Sequence, residues 1–498
     1  MNSNYLQRQP LAGNLIPKPV RVEKGKGPFS LTPKTEIVIP AESPAIGEIG
    51  AQLAAILAPL GGTPLKVSVC SGPPPEGSIC LNTGSYPQLG AEGYRLEVGP
   101  NLVSLSANEP GGLFYGVQTI KQLFSSGPKG GPGLIEGVII EDFPRFSWRG
   151  AMLDVARNFF SVQDVKGFIR YLAAYKFNRL HLHLSNDQGW RIMINSWPNL
   201  ALHGGSGAVS GGRSGYYSQE EYSEIVAYAQ SKQIIVVPEI DLPGHTTAAL
   251  ASYPELNRKG IAPPLYSGTE VGFSSLAPEK DLTYRFVSDV LEELAALTPG
   301  PYLHVGGDEA LSTTPEEYEI FMSQLQPIVA RLGKTMIGWG EIAHTPLQAG
   351  TIVQIWRREE IDAKKAAAQG VQVIMSPAYR AYMDMKYNES TKLGLSWAGL
   401  IKVEDAYNWD PAEVHALVPQ NKILGVEAVL WTETIRTMAD LENMVFPRLA
   451  GYAEIGWSPR KNRSWEEYRY RLAAHGRSWE KENINFYRCP EVPWGEQV

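Results

Sequence analysis

The sequence predicts an α/β protein in which a closed (β/α)8 barrel follows a small α+β domain. Three observations carry this. Eight apolar strand-like segments start near residues 150, 179, 234, 302, 335, 351, 371 and 424, with helical patterns between most of them. Runs such as Ile234-Ile235-Val236-Val237 are apolar on both faces, as covered parallel strands require. The strand ends carry polar or aromatic residues, the pattern of a barrel whose carboxyl-end loops hold a site. A chain of 498 residues is also too long for one typical domain. The expected division is 1–145 for the small domain and 146–498 for the barrel with its C-terminal helices.

Residues 1–30 read as an irregular lead punctuated by Pro17, Pro19 and Pro28. Strands are expected at Thr35–Ile39, Leu65–Val69, Ser78–Leu81, Tyr94–Val98 and Leu102–Ala107, the last two joined by Gly99-Pro100-Asn101. Ile46, Ile49, Leu53 and Ile56 recur at helical spacing in a helix over 45–57, and a second helix follows Gly111-Gly112. A strand at Ile135–Ile140 closes the small domain. Nothing chemical is concentrated in it.

In the barrel, strand 150–153 ends at Asp154 and Arg157, and Ser161 caps the next helix. Strand 179–184 leads into Asn186-Asp187-Gln188-Gly189-Trp190-Arg191, and Gly204–Gly212 reads as a flexible loop or lid. Ser218 with Glu221 is a capping-box signature for the helix over 219–231. Strand 234–240 ends at Asp241 and His245. Strand 302–306 ends in Gly306-Gly307-Asp308-Glu309, where two glycines strip the backbone of side chains just before two adjacent carboxylates. The next ends bear Trp339 with Glu341, then Trp356, then Tyr382 with Asp384, then Trp431 with Glu433. Helices over 438–456 and 465–479 finish the chain. The 241–280 and 376–423 loops are long for connections of this kind, which usually signals function.

Composition narrows the function classes. A formal charge of −7 without long charged runs argues against a nucleic-acid surface. No apolar stretch approaches the roughly 20 residues of a membrane span. Cys70, Cys80 and Cys489 make neither a disulfide framework nor a metal ligand set, and are read as free thiols. The N-terminal MNSNYLQRQPLAGNLIPKP lacks the basic-then-apolar plan of a secretory signal, so the expectation is a cytoplasmic protein, or a secreted one whose signal is absent from this chain.

At the barrel mouth, acids, one Arg, three Trp and a Tyr describe a pocket for a neutral polyhydroxylated ligand. Carboxylates and guanidinium pair with hydroxyls, indole rings cover apolar sugar faces, and one carboxyl remains for proton transfer. A competing reading is a metal hydrolase, because His181 and His183 share a strand face and His245 with Asp308 would complete a ligand set. His181 sits early in its strand, below the mouth. The histidines are therefore read as hydrogen-bonded supports, with no metal and no cofactor expected.

WRGAMLDVARNFF (148–160), HLHLSNDQGWR (181–191), VPEIDLPGHTTAAL (237–250), HVGGDEA (304–310), MIGWGEI (336–342), YMDMKY (382–387) and GVEAVLWTE (425–433) together resemble the glycoside hydrolase family 20 β-N-acetylhexosaminidases. The resemblance covers nearly the whole chain. It departs at Asn186, where such enzymes usually carry Asp; the second acid, Asp187, is present.

The resemblance implies an exo-acting retaining enzyme on terminal β-linked N-acetylglucosamine or N-acetylgalactosamine in oligosaccharides or glycoconjugates, with a homodimer left open. Glu309 would be the general acid and base. Asp308 would hold the N–H of the substrate's 2-acetamido group, whose carbonyl oxygen attacks C1 in place of an enzyme carboxylate. Tyr382 would hydrogen-bond that carbonyl. Trp339, Trp356 and Trp431 would wall the sugar, and Arg157, Asp384 and Glu433 would take its hydroxyls. Asp187 and His245, with Asp241 and His183, would form the supporting network. Asp308 is expected charged and Glu309 protonated at the start of the reaction. A lacto-N-biosidase-like enzyme releasing a disaccharide has the same chemistry and is the alternative. A catalytically silent sugar-binding barrel, or a conventional glycosidase with Asp384 as nucleophile, would lack it.

Overall fold

The computed structural model describes residues 13–40, 43–61, 64–125 and 133–495. The first twelve residues of the lead, with most of the signal-free N-terminal reading, lie outside the described residues. The chain divides into two compact units, one of Met1–Arg145 with Ala174–Lys176 and Ala453–Val498, the other of Phe146–Ala173 and Phe177–Tyr452.

The first unit holds a seven-stranded sheet in the order Arg21–Lys24, Val138–Asp142, Tyr94–Gly99, Leu102–Ala107, Ser78–Thr83, Glu36–Ile39, Lys66–Val69. Helices Pro44–Gly61 and Pro110–Ser125 accompany it. Arg21–Lys24 lies in the stretch read as irregular. Its Arg-Val-Glu-Lys sequence shows no apolar alternation, and only antiparallel pairing with Val138–Asp142 makes it a strand. The expected strand over 135–140 is two pieces, Leu134–Ile135 and Val138–Asp142, in different sheets.

The second unit is a closed barrel of eight parallel strands. In order they are strand 1, Trp148–Asp154; strand 2, Arg179–His183; strand 3, Ile235–Glu239; strand 4, Tyr302–His304; strand 5, Thr335–Trp339; strand 6, Ile352–Ile355; strand 7, Gln372–Met375; and strand 8, Ile423–Leu430. Strand 1 pairs with both strand 2 and strand 8, which closes the ring. Trp148, Val237, Ile337, Ile352 and Ile374 form a buried apolar cluster. Ser161 exchanges hydrogen bonds with Asp164 at the first outer helix, and Ser218 with Glu221 completes the second capping box.

Strand 4 is shorter than its apolar run because Gly306 and Gly307 leave it at φ +66° and +98°. A Cβ on Gly306 would stand 1.8 Å from Asp241 Oδ1, so no other residue fits. The helix expected over 438–456 is two, Met438–Val445 and Arg448–Trp457, since Pro447 has no N–H to continue the first. The Gly204–Gly212 segment is not a loose lid. Gly204, Gly205, Ala208 and Val209 are buried, and the Arg191 guanidinium donates to the carbonyls of Gly205 (2.9 Å), Gly207 (2.8 Å) and Gly215 (2.9 Å). Val209 N–H in turn donates to Arg157 O at 2.9 Å, so this packed segment braces a residue of the mouth.

Candidate active site

Asp308 and Glu309 follow the Gly306-Gly307 bend at the carboxyl end of strand 4 and diverge in environment. Asp308 is buried, while the Glu309 side chain keeps 29% of its exposure. Glu309 itself sits at φ +47° and His245 at φ +54°, left-handed conformations that ordinary side chains avoid. Strain of this kind, held by surrounding structure, is typical of functional positions.

His245 is the hub. Its Nε2 lies 3.5 Å from Glu309 Oε2 and 3.7 Å from Asp308 Oδ2, and its Nδ1 lies 3.4 Å from Asp187 Oδ2. Asp187 Oδ1 accepts from Thr247 Oγ1 (2.6 Å), Thr247 N (3.0 Å) and Ser274 Oγ (2.6 Å). Burial pushes Asp187 up, but His245 and those hydroxyls outweigh it and hold the acid at about 2. Burial opposes charge on His245 too, yet the surrounding carboxylates, Asp241 foremost, raise it well above the usual imidazole range. Asp241 lies beneath the bend, accepts from Gly307 N at 3.2 Å, and is pushed up by burial and by Asp308.

The two adjacent acids differ in their electrostatic surroundings. Asp308 is raised, chiefly by burial and also by Glu309 and Glu239, with His245 opposing. Glu309 is lowered: His245, then Arg157 and Arg357, overcome its own partial burial. The two acids thus shift in opposite directions, Asp308 up and Glu309 down. The reason is the neighbouring cation, which faces the more exposed acid.

The rings form a continuous wall. Trp339 and Trp431 are 5.9 Å apart, Trp431 and Tyr382 6.5 Å, and Tyr382 and Trp356 6.5 Å in a stacked pair. Buried Tyr382 has its hydroxyl pushed well up by burial and by Asp384 and Asp308, so it remains a donor. Arg157 lies 4.5 Å over the Trp431 ring, 3.7 Å from Asp154 and 4.0 Å from Glu433. Burial and Glu433 raise Asp384, and neither of its buried oxygens has a hydrogen-bond partner among the described residues. Such an unpaired buried carboxyl suits a ligand hydroxyl. All the sequence-derived site residues thus lie at the carboxyl ends of strands or in the loops that follow them.

Below the mouth the barrel interior is polar. His181 bridges Glu427 (2.8 Å) and Glu239 (2.9 Å), whose charges, against burial, raise it to about 9. Glu239 also contacts His183 Nδ1 and accepts from Trp339 Nε1 at 2.8 Å. Asn186 Nδ2 donates to His183 Nε2 at 2.8 Å, and Arg157 Nη1 stands 3.4 Å from the same nitrogen. His181–Glu239–His304 and His183–Glu239–Asp241 have the proximity of metal ligands, as does Asp241–His245–Asp308. Both nitrogens of His181 and of His183 are already engaged in hydrogen bonds, which disfavours the metal-hydrolase reading on its own donors.

Sequence reasoning missed three contributors. Glu239 lies two residues before Asp241, and the strand's alternation was the signal for a second inward acid. Glu341 was seen as a strand-end residue without a role; it accepts from Trp356 Nε1 at 3.0 Å and Arg357 Nη2 at 2.5 Å, with Glu309 N–H 3.4 Å away. Trp397 sits in the long loop after strand 7, edge-on to Trp356 (6.0 Å) and Tyr382 (5.9 Å) and 57% exposed. Only that loop's length hinted at it.

Residues 146–460 match the family described as glycosyl hydrolase family 20, catalytic domain, and residues 12–143 match its domain 2. A β-N-acetylhexosaminidase of Cellulomonas fimi is 40% identical over 96% of this chain and 97% of its own length. The solved GH20 β-N-acetylhexosaminidase of Streptomyces coelicolor A3(2) is 49% identical with a TM-score of 0.93, covering 97% of this chain and 99% of that one. The Streptomyces plicatus N-acetyl-β-hexosaminidase, solved with Thio-NAglucal, is likewise 49% identical with a TM-score of 0.93, covering 98% and 99%.

Proposed function

The chain belongs to glycosyl hydrolase family 20, and from that premise we propose how its own residues remove terminal β-linked N-acetylglucosamine or N-acetylgalactosamine. The observation that carries the reading is the pair of adjacent acids, one buried and one half-open, joined through His245 beside a wall of four rings.

The terminal sugar would rest against Trp339, Trp356 and Trp431, with its hydroxyls on Arg157, Asp384 and Glu433. Its acetamido group would lie beside Asp308 and Tyr382. The acetamido N–H donates to Asp308 and favours its anion, while the leaving sugar covers Glu309 and favours its neutral form. Binding therefore works against both shifts of the free site and sets the proton on the acid that needs it.

Glu309 then protonates the glycosidic oxygen as the acetamido oxygen attacks C1 and the C1–O bond breaks, giving an oxazolinium ion. Asp308 offsets the positive charge growing on the acetamido nitrogen, and Tyr382 holds the carbonyl oxygen in line. Water, deprotonated by Glu309, attacks C1 and reopens the ring with retained configuration. The intramolecular nucleophile gains from positioning, a contribution of about 7–11 kcal/mol in favourable cases.

A panel of 4-nitrophenyl β-glycosides with and without the 2-acetamido group tests this. The N-acetylglucosaminide is hydrolysed and the plain glucoside is not, and a thiazoline analogue of the sugar inhibits tightly. Hydrolysis of both glycosides at similar rates would defeat the reading.

A further inference from the structure

Next to the aromatic wall lies a groove of about 430 Å³ lined by Arg358, Tyr379, Arg380, Asp405 and the segment 398–400. Its volume is in the range of small-ligand sites, roughly 300–1,000 Å³. Three of its four lining stretches continue from a ring of the site. Arg358 comes two residues after Trp356, Arg380 two before Tyr382, and Ala398 directly after Trp397. Arg358 follows the carboxyl end of strand 6, and Tyr379 that of strand 7, so the groove lies on the same barrel face as the mouth.

Its chemistry differs from the mouth's. The Arg358 guanidinium lies 4.3 Å over the Tyr379 ring, and Arg380 lies 5.8 Å from the same ring and 3.3 Å from Asp405. Two guanidiniums against one carboxylate leave one positive charge unmatched among the lining groups. Tyr379 fixes both cations from one side, which limits the ordering cost of binding.

We propose that this groove binds the reducing-side part of the substrate and favours glycans that carry a carboxylate or sulfate on the sugars beyond the bond that is cut. This rests on the hydrolytic reading above. Guanidinium forks match either oxyanion with paired hydrogen bonds, and the exposed Trp397 ring and Tyr379 offer flat faces for the intervening sugars. The mouth itself presents the Asp308 and Glu309 carboxyls, with Asp187 and Asp241 buried behind them, so an anion is better placed here than there.

The test compares four substrates with the wild-type chain. They are 4-nitrophenyl N-acetyl-β-glucosaminide, the neutral chitotriose, a trisaccharide with N-acetylglucosamine β-linked to glucuronic acid, and one with it β-linked to 6-sulfated galactose. The expectation is a kcat/KM at least about fivefold above chitotriose for one anionic trisaccharide, expressed in KM and narrowing in about 0.5 M NaCl. The two anionic arms tell carboxylate from sulfate. Arg358→Gln, and Arg358→Gln with Arg380→Gln, abolish the preference without changing 4-nitrophenyl glycoside hydrolysis. The exposed Arg358→Gln alone suffices if the double variant folds poorly. Equal rates on neutral and anionic trisaccharides, or a preference that survives in the variants, would overturn the proposal. Failure of the wild type on the 4-nitrophenyl substrate would instead overturn the hydrolytic reading.

Discussion

His245 Nε2 stands 3.5 Å from Glu309 Oε2, and this contact places a raised imidazole against the acid that must give and take a proton. A cation there holds Glu309 below the ordinary glutamate range. The acid limb of kcat/KM reports the step at which the Asp308–Glu309 pair takes its second proton, a property of the pair as a whole. His245→Asn removes the cation and shifts that limb to higher pH, read from kcat/KM on 4-nitrophenyl N-acetyl-β-glucosaminide across the acid range. A limb that stays put would disconnect His245 from Glu309.

Glu309→Gln and Asp308→Asn should separate by leaving group. Loss of the proton donor costs about 10²- to 10⁴-fold on chitobiose and much less on the 4-nitrophenyl glycoside, whose phenolate leaves without help. Asp308→Asn should cost about 10²- to 10³-fold on both, since charge at the acetamido nitrogen is needed whatever departs. Azide should restore no Asp308→Asn turnover, because no enzyme nucleophile is missing at C1. Equal losses for the two variants on both substrates would contradict the division of labour.

One carboxylate, Glu341, accepts from Trp356 with one oxygen and from Arg357 with the other, which also faces the Glu309 N–H. Burial and Asp308 push it up to about 8, with Arg357 and Trp356 pulling the other way. Glu341→Ala frees both the ring and the strained backbone of the acid. Displacement of a catalytic group by about 1 Å can cost roughly 10²-fold, and kcat should fall on that scale while KM changes less. Glu341→Gln keeps an acceptor for Trp356 and should recover part of the loss. An unchanged kcat in Glu341→Ala would remove the residue from this role.

The barrel and its mouth were legible because strand ends announce themselves: an apolar run followed by Asp, Glu, Trp or Tyr is a local signal, and closure brings distant ends together. Less legible were features that depend on a partner far away in sequence. Arg21–Lys24 becomes a strand only by pairing with 138–142, and the glycine-rich 204–212 segment is rigid only because Arg191 gathers its carbonyls. The electrostatics of the two acids escaped for a similar reason. Motif logic names Glu309 as the acid, but His245 and Arg157, far from it in sequence, are what lower it.

Asp187 links the site to acid stability. Its acid is held at about 2, below its ordinary 3.8, so the stabilisation it gives is fully present above about pH 4 and lost as pH falls from 4 towards 2. A shift of this size corresponds to about 2 kcal/mol. Asp187→Asn should therefore lower the thermal midpoint at pH 6, and the gap to wild type should narrow below pH 4 and close only towards pH 2. A gap that persists at low pH would mean that packing, not charge, is what Asp187 supplies.

Asn186 stands where related enzymes usually carry an acid, and its amide explains how the site accommodates it. Glu239 takes the Nδ1 side of His183, leaving Nε2 as an acceptor for Asn186 Nδ2 at 2.8 Å. Arg157 Nη1 stands 3.4 Å from the same nitrogen and lies over Trp431, where it can meet the sugar. Asn186→Asp replaces the Asn186 amide donor by an acceptor and sets a carboxylate near the Arg157 guanidinium, which draws Arg157 off the sugar. KM in the variant should rise about tenfold above wild type, with kcat little changed. Both constants, measured on 4-nitrophenyl N-acetyl-β-glucosaminide, check this. An unchanged KM would show that Asn186 contributes shape alone and leaves the charge at Arg157 untouched.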